Sequence, residues 1–237
     1  MSRLPIVALA AVVVALVTAR AGAEDVVTRS EPAADPNTVV AERPWIDWRP
    51  SLALGEPFDH GRLVNGVSLP AEGRDFRTWD PVQHRYPNRA WRRWGTDRLL
   101  RVLLRVARAY RAANPAAPRL AIGDLSRPRG GGFGRRYGGI GHASHQNGLD
   151  ADVYYPRLDD LERPPARPAQ IDRRLAQDLV DRFVRAGAEF VFVGPSTGLT
   201  GPRRVVQTLV HHDDHLHVRI RNPLPAWMRM GQTSNRR

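Results

Sequence analysis

Six of the eight histidines in this 237-residue chain fall in two short clusters. One runs Gly141-His142-Ala143-Ser144-His145-Gln146-Asn147-Gly148-Leu149-Asp150-Ala151-Asp152, and the other runs His211-His212-Asp213-Asp214-His215-Leu216-His217. Histidine is seldom a core filler, so packing does not account for this grouping. Residues two apart in a strand share a face. His215 and His217 would therefore project together, with Leu216 and Val218 on the other side, and Asp150 and Asp152 would share a face of their own strand. His145 falls in the loop just before, where Gly148 allows a sharp turn. If the two strands are neighbours in one sheet, three or four nitrogen and oxygen donors converge. Two imidazoles and one carboxylate, with a fourth position left to water, form the pattern of a catalytic zinc site.

Each cluster alone has a blander reading. His-x-His can be a solvated surface strand, and Asp-x-Asp can be a turn or a Ca²⁺ ligand pair. Both together in one chain point to metal chemistry. The chain has no cysteine, which excludes disulfides, thiol catalysis and thiolate-bound metal in one step. It also has no G-x-S-x-G nucleophile elbow, no phosphate-binding P-loop and no H-E-x-x-H glutamate. A histidine is then the natural general base.

The elements that must position these residues follow from apolar periodicity. Thr96 is a suitable N-cap for a helix whose stripe is Leu99, Leu100, Leu103, Leu104, Val106 and Ala107, and Asn114-Pro115 ends it. A second helix is expected from about Asp172 to Ala186, with Leu175, Leu179, Val180 and Phe183 on one face and Gly187 as its stop. Strands are expected at Leu120 to Leu125, Leu149 to Tyr155 and Phe190 to Val193, with Val205 to Val210 and Leu216 to Ile220 forming a terminal hairpin. A Gly-rich loop covers Arg129 to Gly141, and a Pro-rich loop covers Pro156 to Pro168. Residues 51–95 read as an irregular layer around the core. The fold class is α+β: a single domain with helices packed on a mainly antiparallel sheet.

Organisation and compartment are read from the ends. Arg3, the uncharged stretch Leu4 to Ala19 and Ala21-Gly22-Ala23 have the layout of a secretory signal over residues 1–23. The apolar run is shorter than the roughly 20 residues of a comfortable membrane helix, so no stable span is expected once the signal is removed; an uncleaved anchor is the alternative, and either way the rest of the chain is expected outside the cytoplasm. Residues 24–50 read as a flexible linker rich in Pro and acidic groups, 51–223 as the catalytic domain and 224–237 as a basic tail. The expected location is outside the cytoplasm, in the periplasm or beyond the cell. The formal net charge is +12 and every basic residue is Arg. That charge suits an anionic partner such as a wall polymer, lipid headgroups or nucleic acid, without choosing among them.

Three blocks carry a specific resemblance. Ser144-His145-Gln146-Asn147-Gly148-Leu149-Asp150-Ala151-Asp152 resembles the S-H-Q-x-G-x-x-x-D signature of penicillin-insensitive murein endopeptidases. His212-Asp213-Asp214-His215-Leu216-His217-Val218-Arg219 resembles their H-x-x-H-x-H-V-R segment, and Gly123 to Gly131 resembles the stretch before the first signature. The likeness covers about residues 51–222, Gly61 to Val67 more faintly, and the wider group is the LAS metallopeptidases. The resemblance implies that His145, Asp152 and His217 hold Zn²⁺ and that Asp152, not Asp150, is the carboxylate ligand. It implies that His215 stays unligated beside the metal as the base, with His212 close by, and that His142 is a further active-site histidine. Ser144, Gln146 and Asp150 are additional candidates. The family's cysteines are missing here, so the loops around the site are expected to differ.

The implied activity is zinc-dependent hydrolysis of D-amino-acid cross-links in bacterial peptidoglycan. Stem peptides are then the partner, and Arg127 or Arg129 is a candidate for a substrate carboxylate. Two alternatives stand beside it: a D-Ala-D-Ala carboxypeptidase of the same metal group, and a non-catalytic wall-binding module. The run Arg129 to Gly139 superficially resembles RNA-binding RGG segments. The export signal argues against nucleic acid, and a flexible loop beside the site is expected instead. The sequence leaves the oligomeric state open.

Overall fold

The computed structural model describes residues 45–137, 142–226 and 228. The expected signal, most of the linker and most of the basic tail lie outside the described residues. In chain order the elements are β1 (Leu52–Leu54), β2 (Arg62–Val64), β3 (Val67–Ser68), β4 (Phe76–Thr78), β5 (Trp94–Gly95), α1 (Asp97–Ala113), β6 (Leu120–Ile122), β7 (Asp150–Tyr154), α2 (Arg173–Arg185), β8 (Ala188–Val193), β9 (Val206–Thr208) and β10 (His215–Ile220).

Both helices start where the sequence places them. Thr96 Oγ1 accepts from the Leu99 amide, and the Asp172 side chain accepts from the Leu175 amide. Each bond satisfies one otherwise unpaired N–H of a first turn. Gly187 follows α2 at φ +83°, the left-handed conformation that ends a helix at little steric cost for glycine. The apolar stripes bury Leu99, Leu100, Leu103, Val106, Ala107 and Tyr110 of α1, and Leu175, Ala176, Leu179, Val180 and Phe183 of α2. Burial of each large side chain is worth roughly 1.5–3 kcal/mol. That gain keeps both helices on one face of the sheet.

The main sheet has the order β4-β6-β7-β10-β8-β9. Its centre is antiparallel, from β6 through β7 and β10 to β8, and its two edges are parallel, β4 on β6 and β9 on β8. The fold is α+β, as the sequence indicates. The terminal hairpin is corrected: β9 pairs with β8, and β10 inserts between β7 and β8. Two adjacent apolar runs cannot show which neighbours they will find, and β10 gains more by pairing on both edges. The layer over residues 51–95 is more ordered than expected, with two small sheets, β1-β2 and β3-β5, and with β4 joining the main sheet. Packing also begins inside the expected linker. Ile46 lies against the core, and Arg49 donates to the Gly66 carbonyl at 3.0 and 3.1 Å. No helix among the described residues is long and apolar enough to cross a membrane.

Candidate metal centre

The pairing of β7 with β10 brings the two histidine-bearing segments together. His217 lies directly opposite Asp152, His215 opposite Tyr154 and Arg219 opposite Asp150. Period-2 alternation puts these six side chains on one face. Leu216, Val218, Ala151 and Val153 go to the other face, fully buried in the core with the helices. The turn that feeds β7 depends on Gly148 at φ +78°, whose carbonyl accepts from the Thr96 amide at 2.8 Å. The start of α1 therefore anchors the loop that carries His145.

The histidine tautomers can be read from their outer partners. His145 Nδ1 lies 2.6 Å from the Leu125 carbonyl, which can only accept, so Nδ1 carries the proton and Nε2 is bare. Burial pushes the His145 imidazole below its usual pKa and keeps it neutral. His217 Nε2 lies 2.9 Å from Asp150 Oδ1 and donates to it, leaving Nδ1 to face inward. Arg219 Nη1 donates to both Asp150 oxygens at 3.0 and 2.8 Å, so Asp150 orients His217 from behind. The inward atoms meet at one point. His145 Nε2 is 3.3 Å from Asp152 Oδ1, His217 Nδ1 is 3.2 Å from the same oxygen, and the two nitrogens are 3.3 Å apart. Asp152 Oδ1 is buried, yet no correctly directed hydrogen bond reaches it.

Two imidazole nitrogens and a carboxylate oxygen facing one another in a buried site call for positive charge between them. Burial would raise the Asp152 carboxyl, but the imidazoles of His145, His215 and His217 outweigh it and hold it well below the usual range. Burial would lower His217, but Asp150 and Asp152 raise it to about 9. A proton on His217 or a cation shared by all three residues answers the same field. Zinc bound to nitrogen and oxygen at about 2.0–2.1 Å in a tetrahedron needs ligand separations of about 3.3–3.4 Å. The observed separations fit that requirement.

His142 is nearer than the spacing alone indicates. His142, His145 and Asp152 present ligand atoms within 4.8 Å of one another. The structure thus holds two overlapping triads that share His145 and Asp152. His142 Nε2 is committed to Asp124 Oδ2 at 2.6 Å, and its Nδ1 stands 3.8 Å from Asp152 Oδ2. His215 Nδ1 is held by Asp214 Oδ1 at 2.6 Å, which turns Nε2 inward to 3.7 Å from Asp152 Oδ1. Burial would lower His215, but Asp152 and Asp214 raise it; His212 is lowered by burial and by the nearby His215. His212 Nδ1 donates to the Val210 carbonyl at 2.8 Å, and its ring centre is 4.8 Å from that of His215.

The remaining candidates divide. Ser144 Oγ lies 3.3 Å from His217 Nε2. Gln146 is a loop staple: its amide donates to the Phe58 and Ala143 carbonyls, and its Oε1 accepts from the Gly61 amide. Neither Arg127 nor Arg129 lines the cleft that contains the site. Arg127 instead donates to the Gly132 carbonyl and to the Tyr137 hydroxyl. The described part of the Gly-rich loop is tied down through the Gly131 amide to the Gly61 and Gln146 carbonyls, and Phe133 packs edge-on to His142 and His145. Residues 138–141 lie outside the described set.

Several contributors were not singled out in the sequence. Asp124, fully buried, holds His142 and is itself held by Arg92 and Asn88. The Leu125 carbonyl and Asp214 fix two imidazoles, and Phe133 walls one side. The cleft measures ≈ 510 Å³.

A family model described as penicillin-insensitive murein endopeptidase matches residues 53–187. A penicillin-insensitive murein endopeptidase of Yersinia enterocolitica is 28% identical over 216 residues, covering 78% of this chain and 73% of that protein. One from Escherichia coli O1:K1 is 33% identical over 127 residues, covering 53% of this chain and 39% of that protein. The family match ends before β10, so the tie between His217 and Asp152 rests on strand register. With more than half of its length matched by that model and its two histidine segments joined at one centre, the chain belongs to the penicillin-insensitive murein endopeptidase family.

Proposed function

We propose that this protein is a zinc-dependent endopeptidase that hydrolyses D-amino-acid-containing peptide cross-links in bacterial peptidoglycan, outside the cytoplasm. The observation that carries the reading is the convergence of His145 Nε2, His217 Nδ1 and Asp152 Oδ1 at 3.2–3.3 Å, with the buried carboxylate oxygen receiving no directed hydrogen bond. These three residues would hold Zn²⁺. When bound, the ion supplies Lewis acidity and lowers the pKa of a coordinated water toward about 7.

The chain's own groups do the rest. Asp214 fixes His215 so that Nε2 faces the cleft as a proton acceptor. His215, with His212 beside it at 4.8 Å between ring centres, would then return that proton to the leaving amine. Asp150 with Arg219, and Asp124 with Arg92, position His217 and His142 from behind. The lining of the cleft supports the reading of an internal bond as the target. Among its described lining residues the one guanidinium is Arg219, which is engaged by Asp150 and lies 3.7 Å from Glu189. No unengaged guanidinium among those described residues awaits a terminal carboxylate.

Metal analysis combined with digestion of purified muropeptide dimers and monomers tests the proposal. About one zinc per chain, with chelator-sensitive conversion of dimers to monomers, is the expected result. Intact dimers with trimmed pentapeptides would favour a carboxypeptidase instead. No change in either substrate would leave a wall-binding module.

A further inference from the structure

Strand β8 is apolar at every position from Phe190 to Val193. Val191 and Val193 are buried in the core shared with the helices. Phe190 and Phe192 point the other way, since they pair with Arg219 and His217 in register and so share the face of the metal centre. The two rings stack with centroids 5.7 Å apart and planes at 23°, and both are half-buried. Phe192 is 5.7 Å from the His217 ring and 6.4 Å from His212. Leu209 and Val210 continue the same cleft wall with 41% and 62% of their surface exposed.

Polar side chains at these four positions would leave the core unchanged, so folding does not require them to be apolar. A contiguous exposed apolar wall marks a contact surface. This one is continuous with the metal centre and carries no charge of its own. Every ionisable group lining the cleft lies elsewhere, in the histidines, Asp150, Asp152 and the engaged Arg219. Such a wall desolvates methyl and methylene groups and offers nothing to a carboxylate or an amine.

We propose that Phe190, Phe192, Leu209 and Val210 form a subsite for an uncharged aliphatic side chain next to the bond that is cut, which makes them determinants of specificity. The assignment rests on the peptidase reading above.

The test uses the zinc-loaded full chain and two synthetic cross-linked peptide dimers. They are identical except for alanine or aspartate beside the scissile bond. The intact protein is expected to prefer the alanine dimer. Phe190→Ala and Phe192→Ala should each raise KM for it about tenfold, with zinc content unchanged and kcat within about twofold. Val210→Ser, at an exposed position, should raise KM severalfold without risk to folding. A fall in kcat at unchanged KM in all three variants would make the wall a support for His217 and overturn the assignment. A dimer of the protein in sedimentation, dispersed by Val210→Asp, would assign the wall to a second copy and also overturn it.

If the intact protein cleaves neither peptide, the peptidase reading fails. Fluorescence anisotropy of a dye-labelled alanine dimer then decides the subsite separately. Binding weakened by Val210→Ser supports it, and equal binding or none sinks it.

Discussion

Asp124 and Asp152 are adjacent in space, joined by a hydrogen bond from the Asp152 amide to the Asp124 carbonyl, and both are buried. Their carboxylates are treated in opposite ways. Asp124 receives N–H donors from Arg92, Asn88 and His142, and these hold it below its ordinary pKa against the effect of burial. Asp152 Oδ1 receives no directed donor and faces two imidazole nitrogens instead. The first arrangement is complete in the protein alone and fixes local structure. The second depends on positive charge beside it, a proton on His217 or a bound cation, to offset the burial of the carboxylate. Two equally buried carboxylates are therefore told apart by their donors, and burial alone would rank them together.

The sharpest test of that contrast is Asp152→Asn. Zinc content should fall to background and turnover with it, while the metal-free variant should lose less stability than Asp124→Asn does, because an amide can still donate to the bare nitrogen of His145. A metal-free variant as destabilised as Asp124→Asn would break the comparison. His215→Ala should retain zinc and lose about 10²–10⁴ in turnover; parallel loss of zinc would make His215 a ligand. On the donor-rich side, Asp124→Asn leaves the Arg92 guanidinium buried without its counter-charge. Denaturant unfolding should register a loss of about 3–5 kcal/mol.

Asp150→Asn sits between the two cases, since it weakens the group that orients His217. Competition with a chelator should show zinc affinity about 10–100-fold lower with the fold intact. The smallest effect is expected far from the candidate metal centre, at Glu162. Hydrogen bonds from Arg119 come first among the causes, followed by the opposing effect of burial and a bond from Arg77, and the carboxyl is lowered to about 2. A depressed carboxylate contributes stability above its unfolded value of 4.5 that is lost as pH falls toward 2. Glu162→Gln should flatten the melting temperature over that window and leave digestion unchanged. An unaltered pH slope would show that this donor-rich cluster contributes nothing to acid stability.

The sequence was legible where chemistry is local. Helix caps at Thr96 and Asp172, stops at Asn114 and Gly187, and the shared faces of His215 with His217 and of Asp150 with Asp152 all follow from periodicity within a few residues. The family signature added which of those groups would grip a metal. Beyond that range the signal was lost. Val205 to Val210 and Leu216 to Ile220 read equally well as a hairpin, because strand partners are chosen by the rest of the sheet and not by the strand. Asp124 and Phe133 gave no sign of facing His142, since a carboxylate or a ring announces its partner only once the backbone has brought one near.

Residue types and their spacing by themselves indicated a pool of His and Asp donors, two helices and an α+β class, since these depend on side-chain chemistry and on 3.6- and 2-residue repeats. Only tertiary structure decided that β10 lies beside β7 with His217 opposite Asp152. It alone also decided which ring nitrogens are protonated and that an aromatic wall borders the site. Register, tautomer and exposure depend on atoms distant in the chain, and their free energies exist only after the sheet has closed.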